Sequence, residues 1–494
     1  MKNKFLLLGL ILAFVACNDL TDLNIDKKNP FAVPGETLFT SAQKNLVDQM
    51  VSTNVNFNIF RLIVQQWTET TYTDEANYDF ATRAIPFQHW DELYRRTLAN
   101  FKESAKIIAT DEAVADEQIK AKNNRLAIIE VMEVYTYSVL VESFGNIPYS
   151  EALNIDILTP KYDDGLTVYK DLIARLNTAI GTLDGGFGSF NASADNIYGG
   201  DTQKWIAFAN SLKLRMGMTI ADVASEAALA KSTVESAAAN AIGSNADNAA
   251  VHYLSSTPNT NPLYVDLVAS GRQDFIGANT FVDKLNALND PRRQFFFQHN
   301  NVDIDTTPAV EEYLGGTYGE NSIFSQFSNV SYGTDPGNFA LLEPTYPGTI
   351  MSAAEVHFLL AEAAARGYNV SGTAEEHYNE GITSSIEEWG GSQADADAYL
   401  ANPDVAYATA AGTWQEKIGT QAWIALYNRG FEAWGTWRRL DYPELTAPPE
   451  ARSGVPTRLP YPIQEQTLNG DQYHLAATAI GGDEADVKLF FDVH

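Results

Sequence analysis

The side chains most able to do chemistry in this sequence are aromatic, and they fall in stretches without helical or strand period. Trp67, Tyr72, Tyr78, Phe80 and Trp90 form one such group, and Tyr313, Tyr318, Phe324, Phe327 and Tyr332 form another. Sugar rings present apolar C–H faces that stack on such rings, and neighbouring Asp, Asn and Gln can bond their hydroxyls. Peptide side chains can use the same surface. A turn has no periodic face to pack against a core, so rings in turns are expected to stay available to a ligand. On that ground Trp67, Tyr72, Tyr78, Trp90, Tyr318 and Tyr332 are the expected ligand contacts. A third group, Trp423, Tyr427, Gly430, Trp434 and Trp437, follows the spacing i, i+4, i+7, i+11 and i+14. It reads as the packed stripe of one helix, with Gly430 admitting a close neighbour.

The patterns that carry covalent or metal chemistry are missing. No glycine loop precedes Lys-Ser/Thr to wrap phosphates, and Gly186-Phe187-Gly188 lacks the third glycine of a dinucleotide site. Gly390-Gly391-Ser392-Gln393-Ala394 is a near miss to a nucleophile elbow, set in a polar linker. Glu355 and His357 lie two apart on a helical stretch and so face different ways. Asp74, Glu75 and Asp79 share a short segment without the glycine turn of an EF-hand. With 63 acidic residues, some pair always falls at glycosidase spacing, so none is assigned. No catalytic residue, metal or cofactor is expected. The charge balance, 33 basic against 63 acidic residues and a net of -30, argues against nucleic acid and against electrostatic attachment to an anionic membrane.

Membrane attachment is expected by another route. Lys2 and Lys4 precede an apolar run from Phe5 to Val15, too short to span a bilayer, which reads as a signal peptide. Ala16, Cys17, Asn18 and Asp19 follow in the layout of a bacterial lipobox, although Phe14 stands where Leu is usual. Residues 1–16 are expected to be removed and Cys17 to be lipidated, anchoring the protein through its acyl chains. Residues 17–35, with Pro30 and Pro34, read as a tether.

The remainder, 36–494, reads as one mostly α domain. Ile128, Val131, Met132, Tyr135 and Val139 make one stripe of a long helix that ends near Phe144-Gly145. Asp163, Asp164 and Gly165 open another, and Asp201 caps a third that is expected to reach about Ser225. Residues from about 250 to 350 are rich in Gly, Pro, Asn and Thr and predict a loop-rich insert with small strands and one short helix at Thr280 to Leu288. Helical period returns at Ser352 to Gly367, Thr373 to Trp389 and Thr413 to Trp437. The proline-rich stretch Pro443 to Pro462 must be extended, and Val487 to Phe491 is a short strand or a docked tail. Ala374, Tyr378 and Gly381 fit the second helix of a tetratricopeptide unit, without a clean repeat along the chain.

Several segments recur in a recognisable order: Cys17-Asn-Asp-Leu, Thr71-Tyr-Thr-Asp-Glu-Ala-Asn-Tyr78, Phe144-Gly-Asn-Ile-Pro-Tyr-Ser-Glu-Ala152 and Tyr198-Gly-Gly-Asp-Thr-Gln-Lys-Trp205. Phe208 to Arg215, Asn289-Asp-Pro-Arg292, Glu355 to Ala363 and Trp423 to Arg439 with Tyr442-Pro443 continue the series. Arg458-Leu-Pro-Tyr-Pro462 with Glu465 and Lys488-Leu-Phe-Phe-Asp492 close it. Together they resemble the SusD/RagB family of outer-membrane nutrient-binding lipoproteins, in its second SusD-like branch. The resemblance implies paired helices in tetratricopeptide-like hairpins with a looped insert packed on them. It implies a partner, a TonB-dependent outer-membrane transporter of the SusC type. The protein would face the cell exterior, capture an oligomeric nutrient and close over that barrel, without catalysis. Arg215, Arg292, Arg438 and Arg439 are implied to tie helix ends and turns. The motifs carry no ligand-contacting residues over, so the site rests on the aromatic argument. A glycan is the expected nutrient. Oligopeptide capture, a surface hydrolase and a protein-binding helical scaffold are the competing readings.

Overall fold

The computed structural model describes residues 33–298, 313–330 and 341–494. Cys17 and Tyr332 lie outside the described residues. The helices that build the body are α1 (Gly35–Val51), α2 (Ile85–Asp91), α3 (Ala99–Ala109), α4 (Asp116–Phe144), α5 (Gly165–Thr182), α6 (Thr202–Thr219) and α7 (Ala227–Ala237). After the short α8 (Asn279–Leu288) come α9 (Ala353–Ala365), α10 (Ala374–Glu388), α11 (Trp414–Ala425), α12 (Gly430–Leu440), α13 (Ile463–Leu468) and α14 (Gly470–Ala479). Consecutive helices pack as neighbours: α4 on α5, α6 on α7, α9 on α10, α11 on α12. Among the described residues no helix is long and apolar enough to cross a membrane.

Local chemistry sets the helix ends. Asp164 accepts a hydrogen bond from the Thr167 N–H and starts α5, and Asp201 accepts from the N–H groups of Gln203 and Lys204 and starts α6. Thr373 and Glu376 cap α10 reciprocally. Gly145, at φ 86°, turns the chain out of α4. α6 stops at Thr219, short of Ser225. The aromatic stripe from Trp423 to Trp437 belongs to two helices, because Asn428 takes the left-handed conformation (φ 66°) between α11 and α12. Its rings still share one core: Trp423, Tyr427 and Trp434 are each no more than 1% exposed. Gly430 opens α12 against the backbone of Phe60 and Arg61, where an added Cβ would sit 2.4 Å from the Arg61 nitrogen.

Strands are few and short, and they tie distant segments together. β1 (Trp67–Glu69) pairs antiparallel with β5 (Phe275–Gly277), Trp67 opposite Gly277. β2 (Ile147–Pro148) pairs with β3 (Tyr162–Asp163), and β4 (Ala249–Val251) with β6 (Gly348–Met351). Residues 443–462 contain neither helix nor strand, and the C-terminal segment is a docked tail, with Leu489 and Phe491 buried.

Buried arginines lock the helices to one another. Arg292 and Asp290 are both wholly inaccessible and form a bidentate pair, Nε to Oδ1 at 2.9 Å and Nη2 to Oδ2 at 2.5 Å. The same guanidinium reaches Ser385 of α10 (3.0 Å) and Gln421 of α11 (3.1 Å). Arg215 of α6 and Arg429 both bind Glu355 of α9, and Arg439 of α12 binds Glu362 of α9. Arg438 stacks 3.5 Å from the Trp434 ring and donates to the carbonyl oxygens of Glu142 and Thr457. These contacts match the tying role expected for the four arginines.

Candidate functional site

The structure takes four of the six expected ligand rings into the core. Trp67 is 1% exposed and donates its indole N–H to the Tyr427 hydroxyl at 2.8 Å, beneath the Arg61 guanidinium. Tyr78 is buried and accepts from Gln65 Nε2. Trp90 is enclosed by Tyr94, Phe144, Tyr162 and Tyr461. Tyr318 is buried and donates its hydroxyl to the Leu62 carbonyl at 2.6 Å. Trp67, Trp90 and Tyr318 offer no face for stacking, and Tyr78 reaches the surface only at the edge of a cleft. The expectation fails for a physical reason: an irregular segment packed over helices needs anchors, and its largest side chains supply them. Tyr72 is different. It is 70% exposed, in the left-handed conformation at φ 58°, on the loop between β1 and α2.

That loop also builds one wall of an apolar cleft. The cleft holds about 740 Å³ and runs between the segment Tyr78 to Phe87 and two C-terminal segments, 460–464 and 484–486. Its floor is apolar: Phe80, Pro86, Phe87, Tyr461 and Pro462, with Ile463 standing 56% exposed at the edge. Pro86 at the start of α2 sets the entry of Phe87, since a proline there gives up no helical hydrogen bond. On the other wall the proline-rich chain fixes Tyr461, whose hydroxyl donates to the Asn146 carbonyl at 2.9 Å.

The rim is polar. Asp79 accepts hydrogen bonds from the N–H groups of Ala81 and Thr82, both at 3.0 Å, and lies 3.9 Å from the exposed Arg452. Burial opposes ionisation of Asp79, but its hydrogen bonds from Thr82 and Ala81 and the charge of Arg452 hold the carboxyl below its usual range. It is therefore a charged acceptor at neutral pH. Gln464 lines the cleft, and its Oε1 is buried without a hydrogen-bond partner. Glu484 and Asp486 complete the edge. An apolar floor with a few amide and carboxylate groups around it is the usual make-up of a small-molecule site. It suits a ligand that alternates C–H faces with hydroxyls.

A carboxyl pair sits under the same loop. Glu69 and Glu75 are 4% and 0% exposed, and Arg83 forms an ion pair with Glu75 Oε1. Glu69 Oε2 accepts from the Ala76 N–H at 3.0 Å. Burial first, and then the negative charge of Glu75, push the Glu69 carboxyl up to about 9. Glu69 is thus the protonated member at neutral pH, hydrogen-bonded to the Glu75 side chain.

Sequence reasoning missed Phe87, Tyr461, Arg452 and Gln464. Tyr461 was visible within Arg458-Leu-Pro-Tyr-Pro462, and the density of prolines there was the signal that this stretch runs along the surface as a wall. Phe87 follows Pro86 directly, a helix-start pattern that could have separated it from the buried rings around it.

A family model described as "Starch-binding associating with outer membrane", of the SusD-like_2 family, matches residues 27–462. A solved structure described as a chitin-binding protein superposes with a TM-score of 0.78 at 27% identity, covering 93% of this chain and 100% of the other. A SusD homologue from Bacteroides uniformis gives a TM-score of 0.76 at 27% identity, with 92% and 99% covered. A chitin-binding SusD homologue from Flavobacterium johnsoniae shares the fold, with a TM-score of 0.76 at 24% identity and the same coverage, 92% and 99%. No curated protein matches the sequence.

Proposed function

Because the chain belongs to the SusD-like family, we propose that it is a cell-surface lipoprotein that captures an oligomeric glycan and delivers it to a TonB-dependent transporter of the SusC type. The observation that carries this reading is the family match over residues 27–462, whose description is starch binding in association with the outer membrane. The relative described as chitin-binding supports a glycan over a peptide. It is a binding protein and not an enzyme. The cleft between Phe87 and Tyr461 is its proposed capture site, with sugar C–H faces on the apolar floor and hydroxyls on Asp79, Arg452 and Gln464. Tyr72 is retained as an outlying contact, exposed on the same loop.

The test is an array of neutral glycans, charged glycans and mixed oligopeptides, probed with the full-length protein in detergent micelles. Binding to a neutral glycan class without turnover is expected, and Phe87→Ala should weaken it about tenfold, the cost of losing one stacked ring. Binding to peptides alone would reassign the cargo, and silence on every spot would overturn the capture role. The anchor is checked separately. Cys17→Ser should move the protein from the membrane fraction to the soluble fraction, because the acyl chains attach nowhere else. Retention of Cys17→Ser on membranes would refute the lipoprotein reading.

A further inference from the structure

A second pocket, of about 300 Å³, opens beside α1 and shares no lining residue with the cleft. Two π-helical segments occur among the described residues, Glu92–Leu98 and Tyr264–Ala269, and both deliver side chains to this pocket. The first contributes Glu92 and Arg96, the second Val265 and Asp266. A π-helical turn is rare because its wider ring has poorer hydrogen-bond geometry, and it persists mostly where the shifted side-chain register serves a site. One carboxylate from each segment, Glu92 and Asp266, lines the pocket.

The pocket also contains an unmet demand. Thr260 lines it, is 4% exposed, and its Oγ1 has no hydrogen-bond partner. Leaving a buried hydroxyl unbonded is destabilising, so a partner from the pocket's contents is favoured.

The lining decides what kind of molecule fits. Lys44 pairs with Asp48 along α1, and Arg96 pairs with Glu92 at 3.2 Å. Asp48 also accepts from the Tyr253 hydroxyl at 2.7 Å, and Asp266 accepts from Thr53 Oγ1 at 3.3 Å. The cations are thus committed to Asp48 and Glu92, and the Asp266 carboxylate is left over, which disfavours an anion. A metal ion is disfavoured too, since no group of three ligating side chains converges among the described residues. Burial raises the carboxyls of Asp48, Glu92 and Asp266 above their usual range, the mark of a poorly hydrated pocket in which a hydroxyl donor is held more strongly than in water. Asn45 and Asn54 add amides, and the half-buried Phe57 offers a ring face.

We infer that this pocket binds a single neutral sugar unit, at a site separate from the cleft. Hydroxyls of the sugar bond Asp266, Thr260 and the amides, and a C–H face lies on Phe57. The inference goes beyond capture of an oligomer and stands if the cleft proves to bind something else.

Saturation-transfer NMR on the full-length protein in detergent micelles tests it, with D-glucose, D-galactose and N-acetyl-D-glucosamine as probes at up to about 50 mM. At least one of the three should bind with a Kd of about 1–10 mM. Thr260→Val, which keeps the shape, and Asp266→Asn, which keeps the size, should each weaken it about tenfold. Phe87→Ala impairs the cleft and should leave this signal intact. No transfer from any of the three sugars, full affinity in either pocket variant, or loss of the signal in Phe87→Ala would each overturn the inference. Unfolding curves of the two pocket variants that overlay the parent's separate lost binding from lost structure.

Discussion

Replacing Arg292 with alanine is expected to cost about 3–5 kcal/mol of folding stability, the range found when one partner of a buried ion pair is removed. Arg292 and Asp290 are both fully inaccessible, so the Asp290 carboxylate left behind has no water to turn to. The loss extends past the pair. The guanidinium also bridges Ser385 of α10 and Gln421 of α11, so its removal takes a hydrogen bond from each of two helices at their junction. Against a typical total of about 5–15 kcal/mol, that brings the protein close to unfolding at ordinary temperature. Urea denaturation of the two proteins side by side measures the difference. A companion double variant, Asp290→Asn with Arg292→Met, removes both charges while keeping most of the volume, and should recover at least half of the loss. If Arg292→Ala costs less than about 1 kcal/mol, the pair is not what holds α10 and α11 to the Asp290 turn.

The body of this fold was legible because helices announce themselves locally. Asp164, Asp201 and Thr373 cap helices within a few residues of their own N–H partners, and the stripe from Ile128 to Val139 repeats at the helical period. The break at Asn428 was hidden for the converse reason. Trp423 and Tyr427 on one side and Trp434 and Trp437 on the other pack into one core, so apolar spacing ran smoothly across a place where the backbone turns. The site was less legible. Whether a loop ring is buried is decided by what lies over it, and for Trp67 and Tyr318 that is chain far away in sequence: Tyr427 and Gly277 for the one, Leu62 for the other. The cleft itself joins residues 78–87 to residues 452–486, a juxtaposition that no local pattern encodes. Family resemblance reached further than residue chemistry here because it carries topology, and it is topology that brings Phe87 to Tyr461.

Replacing Glu69 with glutamine is expected to stabilise the protein progressively as pH rises, the reverse of what loss of an ionised, paired carboxylate would do. In the folded chain Glu69 keeps its proton up to about pH 9, whereas the unfolded chain releases it near the ordinary glutamate value of 4.5. Between those limits the folded state binds one more proton than the unfolded state, so raising the pH favours unfolding by about 1.4 kcal/mol for each pH unit. This contribution is fully present below pH 4.5 and is lost as pH climbs toward 9. Glutamine cannot ionise in either state, so the slope disappears with it. Its amide N–H can donate to the Glu75 side chain and its oxygen can accept from the Ala76 N–H, which preserves the hydrogen bonding of the protonated acid. The two proteins should be within about 1 kcal/mol of each other at pH 5, and the variant should gain on the parent by about 4 kcal/mol by pH 8. Urea unfolding at half-unit pH steps gives the difference directly, and because every other titrating group is common to both proteins, the difference isolates this one. Parallel stability profiles would show that Glu69 is ionised in the fold. A variant that instead loses stability at pH 8 would mean that Arg83 neutralises both carboxylates, and that the loop bearing Tyr72 and the cleft wall is held by charge and not by a shared proton.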